Sequence, residues 1–202
     1  MNKMLWNYAL LLVLLVGCKN PAEPPKQSEL AADYMPLQIG NIWYYKEYEP
    51  GQRIDTLKEV LTIQVAGQKM IDNQSYFILQ EQSLDTTEAP QFRTIDTFYY
   101  RCDGPKLYIG QNDYNVFKII VAADFSMNVN DSYELSYDRG LAGVTNLVIS
   151  LIEKESQYLI FSYDFPVVSD ASYYRTYKYK AGIFDQSSFG GWGMRLSRCE
   201  LK

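Results

Sequence analysis

Histidine is absent from all 202 residues, and its absence narrows the chemistry open to this chain. Serine or cysteine nucleophiles activated by imidazole, and zinc sites that use histidine, are excluded. Carboxylates are the remaining acid–base groups in quantity. Three pairs, Asp85 with Glu88, Asp96 with Asp103 and Asp164 with Asp170, could be imagined flanking a glycosidic bond, which requires carboxyls about 5 to 9.5 Å apart. Each pair falls at or near an expected turn, where acidic residues are ordinary. A carboxylate-based hydrolase is therefore kept only as a subordinate reading, and the chain is read as non-catalytic. Asn128, Asn130 and Asp131, with Asp138 downstream, offer oxygen ligands of the kind calcium takes. The D-x-[DN]-x-[DN]-G spacing and closing glutamate of a calcium loop are missing, so these residues are read as a turn. Neither a metal nor another cofactor is expected.

The denser signal is aromatic. The chain holds 18 tyrosines, and Tyr173, Arg175, Tyr177 and Tyr179 recur at every second position, which places them on one face of a strand. Trp43, Tyr45, Tyr99 and Trp192 add rings elsewhere. Tyrosine joins a flat apolar face to a hydroxyl at low entropic cost, a combination suited to recognising a glycan, a lipid or a protein surface. Tyr173, Arg175, Tyr177 and Tyr179 are accordingly the candidate ligand-binding residues. The competing structural reading is that strands favour tyrosine and that a wide sheet needs half-buried amphipathic rings.

The elements that must carry these residues are strands. Segments 42–48, 57–66, 75–82, 92–102, 106–109, 115–121, 132–137, 144–154, 157–164, 172–180 and 193–201 are rich in β-branched and aromatic residues, and most are bounded by Gly, Asn, Asp or Pro. Leu57, Glu59, Leu61, Ile63 and Val65 alternate with Lys58, Val60, Thr62, Gln64 and Ala66, so one face of that strand needs a core. Gly67-Gln68-Lys69, Asp72-Asn73-Gln74, Asp103-Gly104-Pro105 and Glu155-Ser156 read as turns between consecutive hairpins. The fold class is all-β: a single antiparallel meander domain over residues 34–202, forming an open or closed barrel, with a β-sandwich as the alternative. No long amphipathic helix interrupts it.

Two stretches echo each other. Leu37-Gln38-Ile39-Gly40-Asn41-Ile42-Trp43 and Met127-Asn128-Val129-Asn130-Asp131-Ser132-Tyr133 share an apolar-x-apolar pair, a two-residue turn and an aromatic two places later. They are read as a recurrent way of starting a hairpin rather than as a duplication. Pro36-Leu37-Gln38-Ile39-Gly40-Asn41-Ile42-Trp43-Tyr44-Tyr45 also resembles the PLxxGNxWxY opening of uncharacterised all-β bacterial envelope lipoproteins. Tyr177-Lys178-Tyr179-Lys180-Ala181-Gly182-Ile183 resembles their closing segment, from which Ala181-Gly182 and the shifted Gly190-Gly191-Trp192-Gly193 depart. The resemblance covers about a fifth of the chain and implies a curved all-β domain with no particular activity.

The amino terminus carries a targeting signal. Lys3, an apolar run from Leu5 to Val16 and a small residue before a polar break are the pattern of a secretory signal peptide, and the run is shorter than the roughly 20 residues needed to span a bilayer. Leu15-Val16-Gly17-Cys18 resembles the lipobox of bacterial lipoproteins. The resemblance implies removal of residues 1–17 and acylation of Cys18 by a diacylglyceryl group and an amide-linked chain such as palmitate, which anchors the protein to a membrane. Residues 18–33 are then the lipidated cysteine and a flexible proline-containing tether. Lys19, in place of the aspartate that marks inner-membrane retention, points to the outer membrane. Loss of Lys3 leaves 18 basic against 24 acidic side chains, a balance of −6 that argues against a nucleic-acid partner. With Cys18 lipidated, Cys102 and Cys199 remain. They are expected to form one disulfide in an exported protein, worth up to about 4.7 kcal/mol for so long a loop, with a pair of buried free thiols as the alternative. The leading reading is a non-catalytic envelope lipoprotein that binds a ligand, and its rival is a structural subunit of an envelope assembly.

Overall fold

The computed structural model describes residues 30–85, 91–113, 116–138, 144–166, 172–188 and 190–202. The leader, Cys18 and the tether up to residue 29 lie outside the described residues, as do Glu88 and Asp170.

Twelve strands make one antiparallel sheet: β1 (Ile42–Tyr48), β2 (Leu61–Ile71), β3 (Gln74–Asp85), β4 (Gln91–Asp103), β5 (Lys106–Asp113), β6 (Val116–Asp124), β7 (Ser132–Asp138), β8 (Val144–Lys154), β9 (Tyr158–Asp164), β10 (Tyr173–Lys178), β11 (Gly182–Ser188) and β12 (Gly193–Glu200). Their order across the sheet is β6-β5-β4-β3-β2-β1-β12-β11-β10-β9-β8-β7. All neighbours but β1 and β12 are also neighbours in sequence, which is the expected meander. Because the sheet is single and continuous, it curls into a nearly closed barrel rather than stacking as a sandwich. Its two edges, β6 and β7, are joined by a phenol instead of a ladder, Tyr133 of β7 donating to the Val121 carbonyl of β6 at 3.0 Å, and Tyr163, two strands further in on β9, reaches across the same seam to the Ala122 carbonyl of β6 at 2.7 Å.

Alternation decides which face turns inward. Trp43 and Tyr45 of β1, Ile63 and Val65 of β2, Ile149 and Leu151 of β8, and Leu159, Phe161 and Tyr163 of β9 are all buried inside the barrel. Each large apolar side chain so enclosed contributes about 1.5–3 kcal/mol relative to exposure.

A helical turn, α1 (Ala31–Tyr34), closes one end. The Ala31 amide donates to the Gly104 carbonyl at 2.9 Å, and the Asp33 carbonyl accepts from the Lys180 amide at 2.6 Å. The Tyr34 ring stacks on Phe125 at 4.9 Å and meets Tyr179 edge-on at 5.8 Å. Residues 31–33, expected in the tether, are thus part of the folded domain. One turn of helix carries no readable periodicity. Trp43 lies over this floor and donates to the Ala181 carbonyl at 2.7 Å. Gly182 passes beneath it at φ 92°, where a Cβ would sit 2.8 Å from the Trp43 indole nitrogen.

Several strand ends differ from expectation, β2 beginning at Leu61 rather than Leu57 and β5 running on to Asp113, and two differences change the topology of the reading. β2 runs through Gly67, which follows a bulge after Val65, and the chain turns only at Asp72 and Asn73, whose φ values of 47° and 60° suit a two-residue hairpin loop. β11 was absent from the expected set because only Ile183 and Phe184 in it are strong strand formers. It forms because the reversal at Lys180 and Gly182 lays the chain back along β10.

The echoed stretches prove to be the same structure. Gly40 donates to the Val65 carbonyl and accepts no ladder of its own, while Val65 donates to the Asn41 carbonyl; Asn130 donates to the Leu151 carbonyl, and Leu151 donates to that of Asp131. In both cases the receiving strand then bulges, after Val65 in β2 and after Leu151 in β8. Each stretch opens a run of six strands, so the barrel is laid out as two similarly started halves.

Cys102 and Cys199 are free thiols here, not the expected disulfide. Cys102 lies on β4 and Cys199 on β12, opposite Trp43 of β1. Three strands separate them, which is four steps or about 19 Å along the curved sheet at ~4.8 Å per strand, whereas bridged cysteines need Cα atoms within about 7 Å. The Cys102 thiol instead points to the Met35 carbonyl at 3.7 Å. Burial pushes it up to about 12, so it is not a reactive thiolate.

Candidate functional site

The barrel is filled at its floor and hollow above. A cavity of about 890 Å³ opens at the end where β1 leads to β2 and β11 to β12. Its far wall is apolar and comes from β2 to β6 and β8: Leu61, Ile63, Leu79, Ile109, Ile120 and Leu147 line it. Its mouth carries Glu47, Glu49, Lys58 and Trp192, the last with 57% of its surface exposed. Chain entry into the domain, at Leu30 and α1, is at the opposite, closed end.

The remaining wall is β10, with β9 and β11 beside it. Tyr173 and Arg175 line the cavity. Tyr173 lies opposite Tyr163 in the β9 ladder and stacks on it at 4.6 Å. Arg175 lies opposite Gln186 of β11, whose side-chain oxygen accepts from the guanidinium Nε at 2.9 Å and from Nη2 at 2.6 Å. The same guanidinium lies over the rings of Tyr163 and Tyr173 at 5.4 and 5.5 Å. It forms no ion pair among the described residues. Burial works against its charge, but the surrounding phenols of Tyr177, Tyr173, Tyr163 and Tyr100 more than offset that, and the group stays protonated. Desolvation keeps the phenols of Tyr100 and Tyr173 protonated as well, leaving them as neutral hydrogen-bond donors.

The fold is shared with solved structures. A protein of Bacteroides fragilis NCTC 9343, designated an exported protein with a YmcC-like fold, superposes with a TM-score of 0.50 at 12% identity, over 83% of this chain and 98% of the other. A protein of Parabacteroides distasonis ATCC 8503, designated a lipoprotein, aligns with a TM-score of 0.48 at 11% identity and the same coverage. At this identity the likeness concerns the fold alone. No protein-family model and no curated protein matches the chain.

Of the four residues singled out on β10, the structure brings two to the cavity. Tyr177 is on the same inward face but lies in the packed floor, fully buried, edge-on to Phe125 at 5.2 Å and with its hydroxyl 3.3 Å from that of Tyr163. Tyr179 lies beyond the end of β10 and packs at α1. Of the three carboxylate pairs only Asp96 with Asp103 lies wholly among the described residues, and it is not assembled. Asp85 is bridged to Arg93 at 3.0 Å and Asp103 to Arg101 at 2.8 Å. Asp96 stands seven residues from Asp103 on one extended strand, about 23 Å at ~3.3 Å per residue. Asp164 accepts from Ser172 at 2.6 Å. Asp131 accepts from the Asn128 amide at 2.8 Å, closing the expected turn. Among the described residues no group of three potential metal ligands converges.

Sequence reasoning missed the apolar wall and one carboxyl. Glu81 lines the cavity, and burial, Asp96 and Glu47 raise its pKa above the ordinary glutamate value while Arg175 opposes them. Its alternation with Leu79 along β3 was the available signal. Nothing in the sequence pairs it with β10.

Proposed function

We propose that this chain is a membrane-anchored envelope lipoprotein, non-catalytic, whose barrel binds a small lipid-like ligand. The observation that carries the binding half is the cavity: its volume lies within the range of small-molecule sites, its walls are mainly apolar, and a few polar groups converge on one side. A hollow open at one end and walled mainly by apolar side chains suits a lipid better than a glycan, which needs hydrogen-bonding partners on many sides. The anchoring half rests on Leu15-Val16-Gly17-Cys18, and the export designation of the Bacteroides fragilis fold neighbour accords with it. Lys19 favours the outer membrane.

The binding half is tested with Nile red, a neutral apolar dye, on the chain carrying Cys18→Ser. Saturable binding that is lost when Ile120→Trp fills the cavity, with far-ultraviolet circular dichroism unchanged, is the expected result. Binding indifferent to Ile120→Trp would remove the cavity reading. Incorporation of an alkyne palmitate that disappears in Cys18→Ser tests the anchor.

A further inference from the structure

The cavity holds a charge that the protein does not neutralise. A half-buried guanidinium in a cavity wall is poorly hydrated unless its charge is matched, and Arg175 receives only a neutral amide oxygen and two ring faces. The carboxyl that shares the cavity with it, Glu81, is outside ion-pair distance among the described residues. That carboxyl is also more readily neutral than an ordinary glutamate. Tyr100 and Tyr173 line the same space. Facing them is the wall of Leu61, Ile63, Leu79, Ile109 and Ile120.

We propose that Arg175 is the anchor for the anionic head of a single-chain amphiphile, a carboxylate or a phosphate, whose apolar body lies against the β2 to β6 wall. Gln186 holds the guanidinium from one side by its Nε and one Nη, leaving the other Nη for the ligand. A planar guanidinium suits both head groups, and the two phenols can donate to a second oxygen. This assignment rests on the cavity being a lipid site and adds the charge of the ligand. The carboxylates at the mouth, Glu47 and Glu49, attract a cation and repel an anion, so a competing amine is an informative probe.

The experiment is displacement of Nile red from the Cys18→Ser chain by decanoate, decyl phosphate, decanol, decylamine and inorganic phosphate. A charge-assisted contact in a desolvated site predicts that decanoate or decyl phosphate displaces the dye at concentrations about ten-fold or more below decanol. Inorganic phosphate should fail, because it lacks the apolar body. In Arg175→Gln the advantage of the anions should fall to within about two-fold of decanol, and Arg175→Lys should restore part of it. Equal potency of decanoate and decanol on the unaltered cavity, or a preference for decylamine, overturns the assignment of the anion while leaving the cavity reading intact. Displacement by inorganic phosphate alone would mean that Arg175 serves a small anion and not an amphiphile. If Nile red itself never enters the cavity, the reading beneath the proposal fails first. The comparison among ligands uses the unaltered Arg175, so it stands even if Arg175→Gln does not fold.

Discussion

Tyr163→Phe removes one oxygen atom and tests how β9 is held across the seam to the edge strand β6. The hydroxyl donates to the Ala122 carbonyl at 2.7 Å and lies 3.3 Å from the Tyr177 hydroxyl, all of it buried. Ala122 is the residue that the β5 ladder skips between Leu107 and Tyr108, so its carbonyl depends on the phenol. Leaving a buried acceptor without its donor costs about 1–3 kcal/mol, and the Tyr177 hydroxyl loses a bond worth about 0.5–1.5 kcal/mol. The expected loss is about 2–3 kcal/mol, a large part of the ~5–15 kcal/mol that a domain has. With a urea slope of about 2 kcal/mol/M, the midpoint should fall by about 1–1.5 M at unchanged slope. Tyr99→Phe, on the outer face beside Phe117, should stay within about 0.5 kcal/mol. A midpoint for Tyr163→Phe that matches the Tyr99→Phe control would refute the idea that phenols, not a ladder, close the seam. Tyr133→Phe should fall between the two.

Alkali should unfold the domain. Burial raises the phenols of Tyr45, Tyr100, Tyr133 and Tyr163, so the stability that depends on their protonation is intact below the unfolded value near 10 and is lost above it, at about 1.4 kcal/mol per phenol per pH unit. Phenolate absorbance for these four should therefore appear together with loss of circular dichroism, and their ionisation near pH 10 in a folded protein would contradict the burial. Gly182→Ala, strained at φ 92° and pressed against Trp43, should cost about 2–4 kcal/mol in urea unfolding. Cys102, with its thiol raised to about 12, should resist iodoacetamide in the native protein at pH 8 and react once urea exposes it. A reductant should leave the melting temperature unchanged, since Cys102 and Cys199 are not bridged.

The legible part of this fold is the part that alternation encodes. Ile42–Tyr48 and Val144–Lys154 could be placed to the residue because β-branched and aromatic residues alternate with polar ones along most of their length. Gly67 misled because a glycine inside a strand and a glycine at a turn look alike until the ladder is seen. Tyr173 and Arg175 share the inward face that their two-residue spacing implies, whereas Tyr179 falls past the end of β10, because spacing alone cannot register that Lys180 adopts φ 57°. The cavity was illegible for a different reason. Its apolar wall is assembled from Leu61, Leu79, Ile109 and Ile120, residues that meet Arg175 only after the sheet has curled. The cysteines show the limit of elimination: having no other partner says nothing about distance.

The meeting of β1 with β12 has a consequence for how such a chain reaches its final form. Ten of the eleven ladders join hairpin neighbours, while Ile42 pairs with Glu200 across almost the whole described sequence. Local ladders can form early and cheaply, but the one between the first and last strands must wait for the largest loop to close. A chain delivered amino terminus first therefore holds two half-sheets that cannot be latched until its final segment, Gly193–Glu200, is free. The last strand to be made is the one in the middle of the sheet, so losing it would not trim an edge but divide the barrel in two.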